Sequence, residues 1–139
     1  MILNFEKIIP TSKQVSELYE LLLDRKNSIS HKDTPSLIEH NNFVLSNPYI
    51  AWYLIYKKEK LIGSLYLHSD NSIGLNSNKS KKEDVTEIIA FVKANHKPLP
   101  PIKSVRRGEF FINVSSKNGV LLKILKKIGK NEIQRSFIL

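Results

Sequence analysis

The chain has 139 residues, of which 41% are hydrophobic and 25% are charged, so we expect one globular domain spanning residues 1–139 rather than a disordered chain. The absence of cysteine excludes disulfides, zinc–thiolate sites, iron–sulfur clusters and cysteine nucleophiles. The net charge is +9, and the whole excess lies in residues 71–139, which indicates either a polyanionic partner or a solvated, lysine-rich face.

The chain begins with a predicted strand and two predicted helices. Residues 2–9 are rich in β-forming side chains and predict the strand. Apolar residues recur at helical spacing over 15–22, behind Thr11 or Ser12 as a cap. Thr34-Pro35 has the pattern of an N-cap followed by a proline in the first helical position. This second helix is expected to stop near Asn47-Pro48.

Three strands and a helix are predicted next. Residues 49–56 and 61–68 are aromatic and β-branched on either side of a charged turn, which predicts a hairpin. A short strand begins at 73–75, and helical spacing returns over 81–95.

The last third begins with an irregular, proline-rich connection at 96–108. Residues 110–114 predict a strand, and the following helix is expected to end at Gly129 as a left-handed C-cap. Residues 133–139 predict a closing strand. The order β α α β β β α β α β favours a mixed sheet covered by helices on both faces.

Three segments of the amino-acid sequence resemble the GNAT superfamily of N-acetyltransferases. They are ISHKDTPSLIEHNNFVLSNPYIAWYLIY (29–56), KLIGSLYLHSDNSIGL (60–75) and INVSSKNGVLLKILKKIGKNEIQRSFIL (112–139). The resemblance covers the chain and implies an α/β (α+β) GNAT fold, with a mixed six- to seven-stranded sheet and about four helices. It further implies acetyl-CoA in the opening between the fourth and fifth strands and a small-molecule amine on the other side.

The resemblance also implies the residues that would hold the cofactor. They are Ile73, Gly74, Leu75, Lys79, Lys81, Lys82, Asn113 and Asn118. The family places its pyrophosphate on a glycine-rich loop before the third helix, but here no glycine stands between Gly74 and Gly108. Ser80 and Glu83 fit a capping box there, so the helix start would satisfy its own donors, while the three lysines would hold phosphates by charge. Asn118 is equally suited to cap the last helix.

Histidine is the natural candidate for the base that deprotonates an amine, because it titrates near neutrality. His31 lies in the segment that lines the acceptor side in the family, and His68 ends a strand beside the expected opening. Tyr66, on the same strand, is a candidate substrate contact. Seven further polar residues are candidates, but each could instead have a structural role or be an ordinary solvent-exposed charge. They are His40, His96, Glu39, Glu109, Lys103, Arg106 and Arg107. The family's usual tyrosine acid is replaced by Leu125.

The sequence therefore predicts an acetyl-CoA-dependent N-acetyltransferase acting on a small amine, such as an amino sugar or a nucleotide-linked sugar. The alternative is a catalytically inactive relative that has lost normal CoA binding and acts as a binding module. A nucleic-acid-binding protein ranks third, because the basic half lacks interleaved aromatic residues. No metal-ligand spacing or membrane span is found, so we expect a cytoplasmic protein without metal, as a monomer or homodimer.

Overall fold

A computed structural model describes residues 2–24, 35–77 and 80–139 of the chain. His31, Thr34 and Lys79 lie outside these ranges. The described elements are β1 (Leu3–Lys7), α1 (Ser12–Leu23), α2 (Leu37–Ser46), β2 (Ala51–Lys57), β3 (Lys60–Leu67), β4 (Ser72–Asn76), α3 (Lys82–Asn95), β5 (Phe111–Ile112) and α4 (Gly119–Lys127). None of the helices in these ranges is long and apolar enough to span a membrane.

The strands form one sheet in the order β1-β2-β3-β4-β5. Neighbouring strands are antiparallel except for β4 and β5, which are parallel and pair only through Ser72 with Phe111 and Ile73 with Ile112. The predicted mixed sheet is confirmed, but it has five strands among the described residues instead of six or seven. The predicted strand at 133–139 is not formed, because no neighbouring strand pairs with its backbone groups.

The sheet has a hydrophobic core on each face, as the sequence predicted. One core packs α1 and α2 against the sheet through Val15, Leu18, Val44, Trp52 and Leu54. The other packs α3 against the opposite face through Ile55, Leu65, Ile73, Ile88 and Val92. Alternate residues of each central strand serve opposite faces, which is why residues 51–56 are apolar throughout.

The starts of α1 and α2 follow the predicted capping chemistry with one correction. Thr11 caps α1 and accepts a hydrogen bond from the backbone N–H of Gln14 at 3.2 Å. The cap of α2 is Ser36, not Thr34, and its hydroxyl accepts from the Glu39 N–H at 3.2 Å. Pro35 therefore precedes the cap instead of occupying the first helical position.

Candidate functional site

The sheet opens between β4 and β5, where the parallel pairing stops after Ile73 and Ile112. The strand β4 continues to Asn76, so Gly74–Asn76 run past the end of β5 while still pairing with β3 on their other side. Within the described residues, no strand covers this stretch of β4 on the β5 side.

The backbone groups of Leu75 point into this opening. The N–H of His68 donates to the carbonyl of Ser72 at 3.0 Å, so the groups of Ser72, and of every second residue after it, face β3. The residues between them, Ile73 and Leu75, turn their N–H and C=O toward β5. Ile73 still lies in the paired part, so Leu75 presents one donor and one acceptor at the open edge.

Tyr66 forms the wall of the opening on the α1/α2 face of the sheet. It lies directly between Trp52 on β2 and Gly74 on β4. A Cβ atom built on Gly74 would overlap the Tyr66 ring, so the glycine is required for this close approach. Sequence resemblance singled out both residues, but it did not reveal their contact.

An aromatic cluster surrounds Tyr66. Tyr49 stacks on it with ring centroids 4.3 Å apart, and Trp52 meets Tyr49 edge to face at 4.8 Å. The His68 ring packs edge to face against Tyr49 at 5.0 Å and Tyr66 at 5.3 Å. Burial, and secondarily Tyr66, raises the pKa of Tyr49, so its phenol stays protonated at neutral pH.

His68 itself is exposed at the edge of this cluster. It begins the tight turn to β4, in which the Asn71 N–H donates to the His68 carbonyl at 3.1 Å. The neighbouring Asp70 accepts the Ser72 N–H at 2.8 Å. Burial opposes ionisation of Asp70, but the hydrogen bonds from Ser72 and the nearby His68 imidazole lower its carboxyl pKa overall. The site thus has an accessible imidazole beside an ionised carboxylate.

The start of α3 is capped one residue later than the sequence predicted. The cap is Lys81, whose N–H donates to the Asp84 carboxylate at 2.9 Å, so the predicted Ser80–Glu83 capping box is wrong. Asp84 is 4% exposed, and its other oxygen accepts from the Lys57 ammonium at 3.0 Å. The hydroxyl of Ser80 bonds instead to that of Ser77. The Asp84 carboxylate therefore accepts one of the backbone N–H groups at the start of the helix. Lys81 and Lys82 are exposed beside it.

The basic connection after α3 is held in place by Asn71. Its side-chain amide donates to the carbonyls of Leu99 and Arg107 at 2.9 and 2.7 Å, and its oxygen accepts the Leu99 N–H at 2.7 Å. Asn71 is 2% exposed and has a left-handed backbone at φ 72°. This clamp fixes the path that leads to β5. Arg106 is used within the connection, where it donates to the Pro100 carbonyl at 2.8 Å.

The remaining histidines lie apart from the opening. His40 is buried between α1 and α2, with Nε2 donating to the Val15 carbonyl at 3.1 Å, and burial lowers its pKa. His96 bonds the Tyr53 hydroxyl at 2.8 Å on the α3 face, where burial and then Lys7 lower its pKa. Both histidines therefore contribute to packing. His31, which was also predicted as a base, lies outside the described residues.

The two asparagines predicted to bind cofactor differ in their surroundings. Asn113 is exposed immediately after β5, at the opening. Asn118 caps α4, where its oxygen accepts from the Leu121 N–H at 3.2 Å, as the alternative interpretation expected. In the described ranges no three histidine, aspartate or glutamate side chains are grouped as a metal site. Sequence reasoning missed Tyr49, because its contact with Tyr66 depends on the fold.

Comparison with known proteins identifies this architecture. No protein-family profile and no curated protein matches the chain. Among solved structures, Campylobacter jejuni N-acetyltransferase PseH in complex with acetyl coenzyme A is 12% identical, with a TM-score of 0.64 over 97% of this chain and 92% of that one. The self-immunity acetyltransferase MccE, in complex with acetyl-CoA and AMP, is 17% identical, with a TM-score of 0.58 over 92% and 78%. A possible acetyltransferase from Clostridium difficile is 9% identical, with a TM-score of 0.59 over 100% and 97%.

Proposed function

Because the chain has the GNAT acetyltransferase fold, we propose that it transfers an acetyl group from acetyl-CoA to a primary amine of a small molecule. The observation that carries this proposal is the open edge of β4. There the backbone N–H and C=O of Leu75 stand beside a wall of aromatic side chains that ends in an accessible imidazole, His68.

The opening fits an extended, amide-containing arm. A strand edge with one free donor and one free acceptor binds such a chain as it would bind another strand. When bound, acetyl-CoA supplies the activated thioester, and Leu75 would hold its pantetheine amides by backbone hydrogen bonds. Lys81 and Lys82 would attract the phosphates by charge, with Lys79 as a further predicted contact.

His68 is the residue we assign to the proton transfer. An amine must lose its extra proton before it can attack a carbonyl carbon, and a base with a pKa near the working pH does this best. Its imidazole is exposed, so it can release that proton to water. The protonated phenol of Tyr49 and the ring of Tyr66 would position the acceptor beside it.

The start of α3 distinguishes this chain from the glycine-rich pattern. Asp84 places a buried negative charge where the family's cofactor phosphates would approach, and Lys57 balances that charge. We therefore expect the strand edge and the lysine side chains to contribute most of the cofactor affinity, and the backbone of the helix start to contribute little.

Calorimetric titration with acetyl-CoA and thermal unfolding with and without it test this proposal. A specific site adds about 2.7 kcal/mol of unfolding free energy when the ligand is present at a hundredfold excess over its Kd. Thiol release with a panel of amino sugars and other small amines then tests turnover. The proposal is overturned if saturating acetyl-CoA produces no calorimetric heat and no rise in Tm.

A second candidate function is a non-catalytic binding module with the same fold. It is favoured by the Asp84 cap, by the missing glycines and by the buried Leu125 in place of a tyrosine acid. The same experiments distinguish the two candidate functions. The module predicts no thiol release with any amine, whether or not the CoA site is filled.

A further inference from the structure

The connection between α3 and β5 contains a small hairpin whose backbone is fixed at several points. The N–H of Ile102 donates to the Arg106 carbonyl at 2.9 Å, and the N–H of Arg106 donates to the Ile102 carbonyl at 2.8 Å. Ser104, between them, has a left-handed backbone at φ 63°. The Asn71 clamp holds the chain on both sides of this hairpin. A side chain on the hairpin therefore has a defined position, unlike one on an ordinary surface loop.

The guanidinium group of Arg106 lies on the turn that carries His68. Its Nε donates to the Pro100 carbonyl at 2.8 Å, and its Nη1 donates to the Ser69 carbonyl at 3.4 Å. Ser69 directly follows His68, and consecutive Cα atoms are only about 3.8 Å apart. Both residues are exposed. The guanidinium and the imidazole that we assign to proton transfer thus share one accessible surface at the end of β3.

The positive charge of this connection is not neutralised within the protein. Residues 97–109 contain four cations and one acid, which are Lys97, Lys103, Arg106, Arg107 and Glu109. Among the described residues, none of the four cations forms an ion pair. The two side-chain bonds of Arg106 go to neutral carbonyls and use two of its five N–H donors. The remaining donors and the full charge of Arg106 are available to an external anion.

The same turn carries a negative charge on its other side. Asp70 follows Ser69, is exposed, and accepts the Ser72 N–H at 2.8 Å. An ammonium group would be attracted to the Asp70 carboxylate before it loses its proton to His68, whereas an anionic group would be attracted to Arg106. The surface is therefore complementary to a molecule that carries both charges, with the amine and the anion at separate positions.

On the basis of the proposed acetyl transfer, we propose that Arg106 determines acceptor specificity by binding an anionic group, a phosphate or a carboxylate, of the amine that is acetylated at His68. A neutral amine would make only the contacts at His68 and the aromatic side chains. Arg107 is exposed beside Arg106 and adds to the local positive charge. Among amino sugars, a phosphorylated or carboxylated sugar is therefore preferred to the unmodified one.

Binding of matched amino sugars to the full chain tests this specificity. Glucosamine, glucosamine 6-phosphate and muramic acid are titrated by calorimetry into the chain saturated with CoA, which holds no acetyl group to transfer. We expect at least one of the two anionic sugars to bind about 10- to 100-fold more tightly than glucosamine, the range for one hydrogen bond between charged groups. The tighter of the two shows whether the group is a phosphate or a carboxylate. The proposal is overturned if neither binds more tightly than glucosamine.

Arg106→Gln should bring the affinity for the preferred anionic sugar down to that for glucosamine. Its affinities for glucosamine and acetyl-CoA should not change, and its Tm shows whether the hairpin remains folded. Arg106→Lys keeps the charge without the planar fork and should retain part of the preference. Lys97→Gln removes the same charge at an exposed position of the same connection and is the matched control. A preference that survives Arg106→Gln, or that Lys97→Gln reduces equally, contradicts a specific role of Arg106.

Thiol release with acetyl-CoA and the same three sugars separates this inference from the proposed function. We expect Arg106→Gln to raise KM for the preferred sugar by about 10- to 100-fold and to leave kcat unchanged, because the guanidinium binds a group distant from the reacting nitrogen. Release at the same kcat/KM for all three sugars contradicts the role of Arg106 alone. If no amine is acetylated, the proposed function fails, while the binding preference still tests Arg106 because it requires no turnover.

Discussion

The ring of Tyr66 covers the Cα of Gly74 on the neighbouring strand, and no side chain fits between them. The pair forms the side of the opening that faces α1 and α2. Because both residues lie in the regular register of β3 and β4, the position of the wall is set by the sheet itself.

Gly74→Ala is therefore expected to destabilise the fold by about 1–3 kcal/mol, the usual cost of forcing an extra carbon into a packed site. In a Tyr66→Ala background the same substitution should cost nothing or stabilise slightly, because the clash is gone and alanine restricts the unfolded chain. Urea unfolding of the four variants in this double-mutant cycle measures the difference. Equal costs in both backgrounds would contradict the contact.

Replacing Leu75 tests the open edge. Leu75→Pro removes the N–H that faces the opening but no hydrogen bond to β3, so the sheet should persist. We expect acetyl-CoA to bind about tenfold more weakly, in keeping with one lost hydrogen bond. Leu75→Val keeps the donor and serves as the control. Calorimetry gives both affinities, and unchanged binding by the proline variant would exclude this edge as the cofactor site.

Asp84→Asn tests the cap of α3. Lys57 is partly exposed, which screens the ion pair, so we expect a loss of about 1–2 kcal/mol in unfolding free energy, mainly from the weakened cap. The same variant should bind acetyl-CoA more tightly, because a negative charge near the phosphates has been removed. Glu83→Gln, at an exposed neighbouring position, should leave stability almost unchanged. Weaker cofactor binding by Asp84→Asn would show that the carboxylate supports the site.

His68→Gln should lower kcat by roughly a factor of 10² to 10⁴ at neutral pH, the range found for a lost general base. The affinity for acetyl-CoA should not change, since the imidazole is assigned to the amine. His96→Gln removes a histidine on the other face of the sheet and is the matched control. If both variants turn over as fast as the natural chain, another group takes the proton.

Buried histidine makes stability depend on pH in a definite direction. Burial lowers the pKa of His40 below its ordinary 6.5, so the unfolded chain binds a proton more readily than the folded one. The stabilising contribution of neutral His40 is complete above pH 6.5 and is lost as the pH falls below that value toward the folded pKa. The urea midpoint is measured at pH 7.5 and at pH 5.5. Its decrease between the two pH values should be smaller in His40→Gln than in the natural chain. An unchanged pH dependence would show that His40 is not responsible.

The capping of α3 shows how far local pattern alone reaches. The sequence places acidic residues at both 83 and 84, so the capping pattern fits two frames that differ by one residue. Lys57, which lies 27 positions earlier, pairs with Asp84 and thereby selects the second frame. The helix itself was predicted correctly over 81–95, because its apolar spacing is a local property.

The closing strand shows the opposite case. Residues 133–139 have strand-forming side chains, yet a strand exists only where another backbone pairs with it. Whether such a neighbour is present is decided by the whole arrangement of the sheet.

By itself, the sequence determined the positions of the helices and central strands, the two-sided packing of the sheet and the absence of cysteine chemistry in the chain. These depend on side-chain periodicity and composition, which are read along the chain. The tertiary structure alone decided that Leu75 faces an open edge and that Tyr49, Tyr66 and His68 form one cluster. Those relationships depend on strand register and on the point where β5 ends, which bring together residues that are distant in sequence.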